Sequence, residues 1–514
     1  MSIADKLAKL LNDWGKTLSI YDLNKDNIVD ATDLSMLLSG YDPEVIDPDP
    51  IGTPDDPGYD ATAVARWTCV PFREIKQTAK IGVAAFHMNG IDRVEFSVNK
   101  GAWQVVREPA LNTDNGVVEY FIEIDPSQHE DGTVEIYAVA YPRIGIPRVL
   151  QGNFNNSFVG GENSLKIRNG IHSMFVVCNA NGTLKNWDVY ASPVGNDDTG
   201  DGTKANPYKT IAGALSAQTA IHGDCDGLTL YLEEGDYDYV GPKFPKKVVT
   251  KNRYATVCSA PGTNRENVRI VMATTGGLAT KFICMRNLLF VGNVKMRTPN
   301  MDSFAWIDGC KATAASHEIG GGFASGAWSM VAFTNCEAYN VRDCFRSGNL
   351  AVNCSGRKFS DTPLGQDCVV INCSFDEFIR NSNGDHADVF HWFYTKPGYR
   401  ENRLIYGLDV RNFSLQGWQV NPIRGGGQQL DNVALVDVRI SKDISNVAGS
   451  WWYMDTNHLY MKNVNLVDQT LRWKVHGQDE DGKMVLRNVV LEDSNFRSMT
   501  WLPAEVILKN TTIG

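Results

Sequence analysis

Apolar and polar positions alternate over short runs along most of the chain, and from residue 284 onward these runs return in a fixed frame. An apolar strand ends in a small polar residue, followed by a buried-type side chain. The frame reads Asn287-Leu288, Gly309-Cys310, Asn335-Cys336, Asn353-Cys354, Asn372-Cys373, Gly407-Leu408, Asn432-Val433, Asn463-Val464, Asn488-Val489 and Asn510-Thr511. The steps between them are 22, 26, 18, 19, 35, 25, 31, 25 and 22 residues, the span of one coil in a parallel β-solenoid. Helical repeats of similar period would need Leu and Ala at 3.6-residue spacing, and that pattern is absent. The Asn before each turn accepts left-handed backbone geometry, so rung upon rung it predicts an amide ladder at one corner. Cys310, Cys336, Cys354 and Cys373 share the next position, which predicts an inward stack of small apolar side chains.

Other periodicities divide the rest. Leu7, Leu10, Leu11 and Trp14 recur as Leu34, Leu37, Leu38 and Tyr41, the spacing of two packed amphipathic helices over residues 1–42. Residues 43–60 hold five prolines, six acidic residues and no Lys or Arg, the composition of an extended spacer. Alternating strands at Lys80–Phe86, Arg93–Val98, Trp103–Arg107, Val117–Ile124 and Thr133–Ala140 predict an immunoglobulin-like β-sandwich over 61–150. A connector spans 151–186, and the solenoid occupies 187–514.

Between the two N-terminal helices, Asp22, Asn24, Asp26, Asp30 and Asp33 stand at loop positions 1, 3, 5, 9 and 12, with the Ile28 carbonyl at position 7. Closely spaced oxygen ligands of this kind suit calcium. The segment resembles half of a dockerin, which implies calcium as cofactor and an anchoring role. A calcium-stiffened helical cap is the alternative.

The stretch from Trp187 through the Asp/Gly-rich loop 195–203 to Asn206-Pro-Tyr-Lys-Thr-Ile211 resembles the opening of right-handed parallel β-helix proteins of the pectate lyase-like superfamily. That resemblance implies a helix from Thr210 to Ala217 that plugs the solenoid's end. The fold class expected is mainly β: a right-handed parallel β-helix preceded by the β-sandwich and the small α-helical calcium module.

Composition narrows the partners. The net charge of −11 over 514 residues leaves no basic surface for nucleic acid or anionic lipid, and no apolar run is long enough for membrane insertion. Eleven cysteines, an odd number without paired spacings, make a poor disulfide framework.

Long steps locate loops that leave the coil, and the longest follow Asn372 and Asn432. Here fall His391, Trp392, Tyr394, Arg400, Trp418, Trp451, Trp452, Tyr453, His458 and Trp473, rings and charges of the type that bind a polysaccharide. Strand periodicity sets His386 beside Asp388, a candidate general base and its carboxylate, with Arg424 to neutralise an acidic substrate. Asp385, Asp388 and Asp455 are candidates for the paired carboxylates of a hydrolase. A lyase would instead use His386 with Arg424, Arg400 or calcium. Both sets have structural alternatives: a buried His-Asp pair that seats a loop, and subunit packing by Trp451-Trp452-Tyr453.

The segment 383–392 is similar to the His-x-Asp-Gly element of β-helix polysaccharide enzymes and spikes. Resemblance to phage tailspikes implies a homotrimeric virion spike or fibre assembled in the host cytoplasm, in contact with other virion proteins, that binds and depolymerises host-surface glycans. The alternatives are an extracellular bacterial polysaccharide lyase or glycoside hydrolase, tethered by its dockerin-like module, and a non-catalytic virion decoration protein.

Overall fold

In the computed structural model of the protein, the described residues are 3–16, 28–38, 48–150, 174–238, 249–272, 282–292, 295–297, 304–318, 322–326, 330–345, 348–361, 363–364, 368–379, 388–393, 401–413, 416–421, 430–441, 451–454, 456–473, 488–499 and 506–514. Among them, parallel strands from Trp187–Ala191 to Thr512–Ile513 join into one 24-stranded sheet that winds as a β-helix.

The coil has a first face, built from strands such as Phe282–Arg286, Phe304–Asp308 and Met330–Thr334. A second face holds Leu289–Gly292, Lys311–Thr313, Glu337–Val341 and Ser355–Phe359. A third holds Asp388–Phe393, Gln416–Asn421, Trp451–Met454 and the end of Thr456–Trp473. At the open end, helix Ile211–His222 is capped by Thr210, whose hydroxyl accepts from Gly213 N at 2.8 Å, and by left-handed Gly223. It buries Ile211, Ala214 and Leu215 against the first coils, as the superfamily resemblance implies.

The corner between the first and second faces is a single column in register: Asn287, Gly309, Asn335, Asn353, Asn372, Gly407, Asp437, Asn463, Asp493 and Asn510. Every member has φ between 45° and 71°, the left-handed region that Gly, Asn and Asp tolerate. At Gly407 an added Cβ would also stand 2.5 Å from the Asn372 side-chain oxygen.

Two of the expected corner residues belong elsewhere. Asn432 and Asn488 line up with Asn402 and His458 at the opposite edge of the first face, also left-handed, and Asp437 and Asp493 fill the corner instead. Asp accepts the same backbone as Asn, so Asn463 donates to Asp437 at 2.7 Å and Asn510 to Asp493 at 2.9 Å. The cysteine stack is as expected: Cys310, Cys336, Cys354 and Cys373 are buried in the interior, and all eleven cysteines are free thiols.

The second module consists of a four-stranded and a six-stranded sheet, and it extends past residue 150. Strand Met174–Cys178 pairs antiparallel with Gly132–Pro142 and parallel with Arg73–Ile75, so part of the expected connector completes this module. Nor is it held at a distance. Val64, Ala84 and Val117 of the four-stranded sheet pack on Phe282, Phe304, Ala332, Leu350, Val369 and Leu404, the outward positions of the solenoid's first face. Residues 48–60 of the expected spacer are docked as well, with Ile51 and Gly145 exchanging backbone hydrogen bonds of 2.8 and 2.9 Å.

At the N-terminus two helices, Ile3–Asn12 and Ala31–Leu38, are present. No helix among the described residues is long and apolar enough to cross a membrane.

Candidate functional site

The second face turns its outer side to solvent, and there two outward columns run up the solenoid. One is Lys311, Glu337, Ser355, Ser374 and Asp409. The other contains Thr313, Tyr339, Arg357 and Asp376, with Arg411 on the next rung. Two successive serines lower the floor between the charged residues on either side, and a groove of about 470 Å³ results. Beneath it Gly356 is required, because a Cβ there would stand 2.6 Å from Cys344 Sγ and 2.7 Å from Phe375 Cδ1.

The groove is lined by ordered charges. Arg357 Nη2 meets Glu377 Oε1 at 2.5 Å, and Arg411 Nε donates to Asp409 Oδ2 at 2.8 Å. These hydrogen bonds to carboxylates raise both guanidinium pKa values above the ordinary one, so both remain cationic. Glu337 is held by Arg265 Nη2 at 2.5 Å, and Asp376 accepts from Asn412 Nδ2 at 2.7 Å. Tyr339, 38% exposed, supplies an aromatic surface with the Lys358 ammonium 5.5 Å from its ring centre.

Asp376 and Asp409 lie one rung and two residues apart on the same outward surface. Sheet geometry gives that diagonal a span of about 7–8 Å. Paired carboxylates are also what a glycoside hydrolase uses, at separations of about 5–9.5 Å between the carboxyl groups. Hydroxyls, fixed cations and one half-exposed ring are the groups that hold sugar hydroxyls and sugar faces.

Of the residues expected to form the site, Asp385, His386, Tyr394, Arg400, Arg424 and Asp455 lie outside the described residues. Asp388 opens its strand two positions before Phe390, whose ring is buried in the interior. His391 and Trp392 pair with Gln419 and Val420. Trp418 is in register with Phe390 and Trp452, and that column continues to the core residue Leu471. Trp451 and Tyr453 pair with Thr470 and Arg472, and Trp473, at the strand's end, with Met454.

His458 is placed on the seam with the β-sandwich. Its Nδ1 lies 2.5 Å from Asp431 Oδ1 and its Nε2 3.5 Å from Asp60 Oδ2. Burial alone would lower its pKa, but the hydrogen bond and charge of Asp431, together with Asp60, raise it above the ordinary value.

In the expected calcium loop, Asp22, Asn24 and Asp26 lie outside the described residues. Asp30 and Asp33 cap the second helix reciprocally: Asp30 Oδ1 accepts from Thr32 N and Asp33 Oδ2 from Asp30 N, both at 2.7 Å. Asp33 is fully buried, and Ile28 is exposed. Among the described residues, no group of three His, Cys, Asp or Glu is assembled to hold a metal.

The groove residues were not anticipated. They run over the second face from Lys311 to Arg411, with Tyr339, Ser355, Arg357, Ser374 and Asp376 on the coils where the steps are shortest, 18 and 19 residues, and on the strand after them. A bare rung has no loop to cover its face, so short coils expose the sheet that a long one would bury. The outward parity of Tyr339, Arg357, Asp376 and Asp409 in the alternating pattern was the available signal.

No protein-family model matches this chain, and no curated protein matches it. Among solved structures, a rhamnogalacturonan lyase aligns with 63% of this chain and 87% of its own at 12% identity and a TM-score of 0.28. A superposition that loose carries no argument for the fold or the reaction, and the β-helix rests on the strand register described above.

Proposed function

We propose that this chain is a glycan-binding β-helix protein whose second face takes a surface polysaccharide along the groove from Lys311 to Arg411. The observation that carries the reading is the open, charge-lined groove on serine-floored rungs. In the setting its sequence resembles, a trimeric virion spike, the same surface would serve host attachment.

The test is a glycan array with wild type, Arg357→Ala and Arg411→Ala. Loss of about one charge-assisted hydrogen bond should weaken binding by roughly tenfold or more. Undiminished binding by both variants, at wild-type melting temperature, would remove the groove from consideration. Blocking of particle adsorption by antibody against the groove would distinguish the virion role from a free extracellular protein.

A second reading, glycoside hydrolysis, is favoured by the Asp376–Asp409 diagonal. New reducing ends released from a bound glycan by wild type and lost in Asp376→Asn and Asp409→Asn would support it. No release by wild type leaves binding alone.

For the N-terminal module we propose one calcium ion held by Asp22, Asn24, Asp26, the Ile28 carbonyl, Asp30 and Asp33. Calcium should raise the melting temperature of the full chain, and Asp22→Ala should abolish the increase.

A further inference from the structure

Apolar side chains pack across the seam between the β-sandwich and the solenoid, but beside the first coils it opens into a cleft of about 650 Å³. That is the size of small-molecule clefts in general. One wall is the outward column in which Thr229, Thr256, Cys284 and Trp306 are in register. The opposite wall comes from strand Arg73–Ile75 of the sandwich and the turn after it, including Lys76 and Gln77.

Charge in the cleft runs against the rest of the chain. Arg73, Lys76, Arg253 and Arg286 line it with only two carboxylates, Glu74 and Asp114, in a protein of net charge −11. Two of the arginines are incompletely satisfied. Arg73 donates Nη2 to the Lys80 carbonyl at 3.1 Å and reaches Asp114 only at 3.7 Å. Arg253, 8% exposed at its side chain, spreads its terminal nitrogens over Glu74, Asn186 and the Lys185 and Asp226 carbonyls. The Nε–H of each is buried with no acceptor among the described residues. A buried donor on a cation without an acceptor is costly. Lys76 reaches Glu74 at 3.4 Å and Arg286 reaches Asp308 at 3.0 Å, so the four cations share three carboxylates, Glu74, Asp114 and Asp308, and the cleft keeps an excess of positive charge.

The remaining lining suits a sugar. Thr229, Thr256, Gln77 and Asn186 offer groups that both donate and accept. Trp306 satisfies its own ring nitrogen on Thr334 at 2.8 Å, and the Arg286 guanidinium sits 5.1 Å from its ring centre.

We propose that this cleft binds an anionic monosaccharide unit, one bearing a carboxylate or a sulfate. The anion would meet the Lys76 ammonium and the terminal nitrogens of Arg73 and Arg286, and the polar wall would take the sugar hydroxyls. The site lies at the solenoid's first coils and is built by both modules, so it is independent of the groove on the second face.

Calorimetric titration of the full chain with galacturonate, galactose 6-sulfate and galactose tests this. Both anionic sugars should bind, and galactose should bind about tenfold more weakly or not at all, the worth of one charge-assisted hydrogen bond. Arg73→Met and the surface variant Lys76→Ala should each weaken the anionic sugars severalfold. Lys76→Ala keeps the test decisive if Arg73→Met fails to fold. Equal binding of galactose, no binding by wild type, or loss in Arg411→Ala with retention in Lys76→Ala would overturn the assignment. Failure of the groove variants to affect polysaccharide binding would bear on the groove alone.

Discussion

Asn402 of the solenoid and Ala65 of the β-sandwich exchange a reciprocal pair of hydrogen bonds: Ala65 N donates to Asn402 Oδ1 at 2.9 Å, and Asn402 Nδ2 donates to the Ala65 carbonyl at 3.1 Å. The side-chain amide stands in for the backbone of a paired strand. Farther along the same column Thr62 N donates to Asn432 at 2.8 Å and Gly58 N to Asn488 at 3.1 Å, so residues 58–65 are clasped rung by rung along the solenoid. At the other corner Asn353 and Asn372 donate to the carbonyls of Asn115 and Gly116. The asparagines that shape the coil thus also fasten the second module to it.

Asn402→Gly should therefore loosen the seam while preserving the left-handed backbone. Loss of two hydrogen bonds with partners left half-buried should cost about 2 kcal/mol, measured by urea unfolding. Asn335→Gly, at a corner whose amide donates within the solenoid to Asp308 at 3.1 Å and reaches no sandwich residue among the described residues, serves as the control and should cost less. Equal losses at both positions would mean that the clasp adds nothing beyond the solenoid's own ladder.

The left-handed corners can be tested without the seam. Gly309, with φ 60° and no atom within 4 Å of an added Cβ, isolates backbone preference from packing. Gly309→Asn should be nearly neutral, whereas Gly309→Val should destabilise by about 1–2 kcal/mol. Matching melting curves for the two variants would contradict this account of the ladder.

The ladder was legible because left-handed geometry admits few residue types, and the coil's length constrains their spacing. Its branching was not. Asn432 and Asn488 look like corner residues in sequence, and only strand register separates them from Asp437 and Asp493. The docked seam was also written in the chain, in runs such as Val369-Val370-Ile371 and Val433-Ala434-Leu435-Val436. These are continuously apolar where a solvent-facing solenoid would alternate, as expected of strands covered on both sides. The groove was harder to see, since a depression arises from two serines that are small relative to neighbours on other rungs.

The cysteine stack predicts chemical silence. Burial pushes the thiols up, Cys284 to about 12 and Cys69 to about 11, with Cys310 and Cys354 well above the ordinary value. A thiol-specific reagent should find no reactive cysteine in the native protein at pH 8 and all eleven after denaturation. Cys336→Ala, removing one sulfur from a filled column, should cost on the order of 1 kcal/mol. Rapid labelling of the native protein would show that the interior opens.

Two histidines near the seam should make stability peak close to pH 6.5. His87 is buried, with Nε2 3.1 Å from the Ala61 carbonyl, and burial pushes its pKa down to about 4. Between that value and its unfolded pKa the unfolded chain binds the extra proton, so stability falls as pH drops through this window, by as much as about 3 kcal/mol. His458 has the opposite sign. Asp431 and Asp60 raise its folded pKa, so its contribution is complete below about pH 6.5 and is lost as pH rises through the folded value. His458→Asn puts the column's own residue at this left-handed position, with φ 49°, and removes the titrating group. It should abolish the decline above pH 6.5 and leave most of the acid-side decline, which the burial of His87 sets, as read from urea midpoints across pH 4 to 9. An unchanged alkaline decline would place its origin outside the His458–Asp431–Asp60 contact.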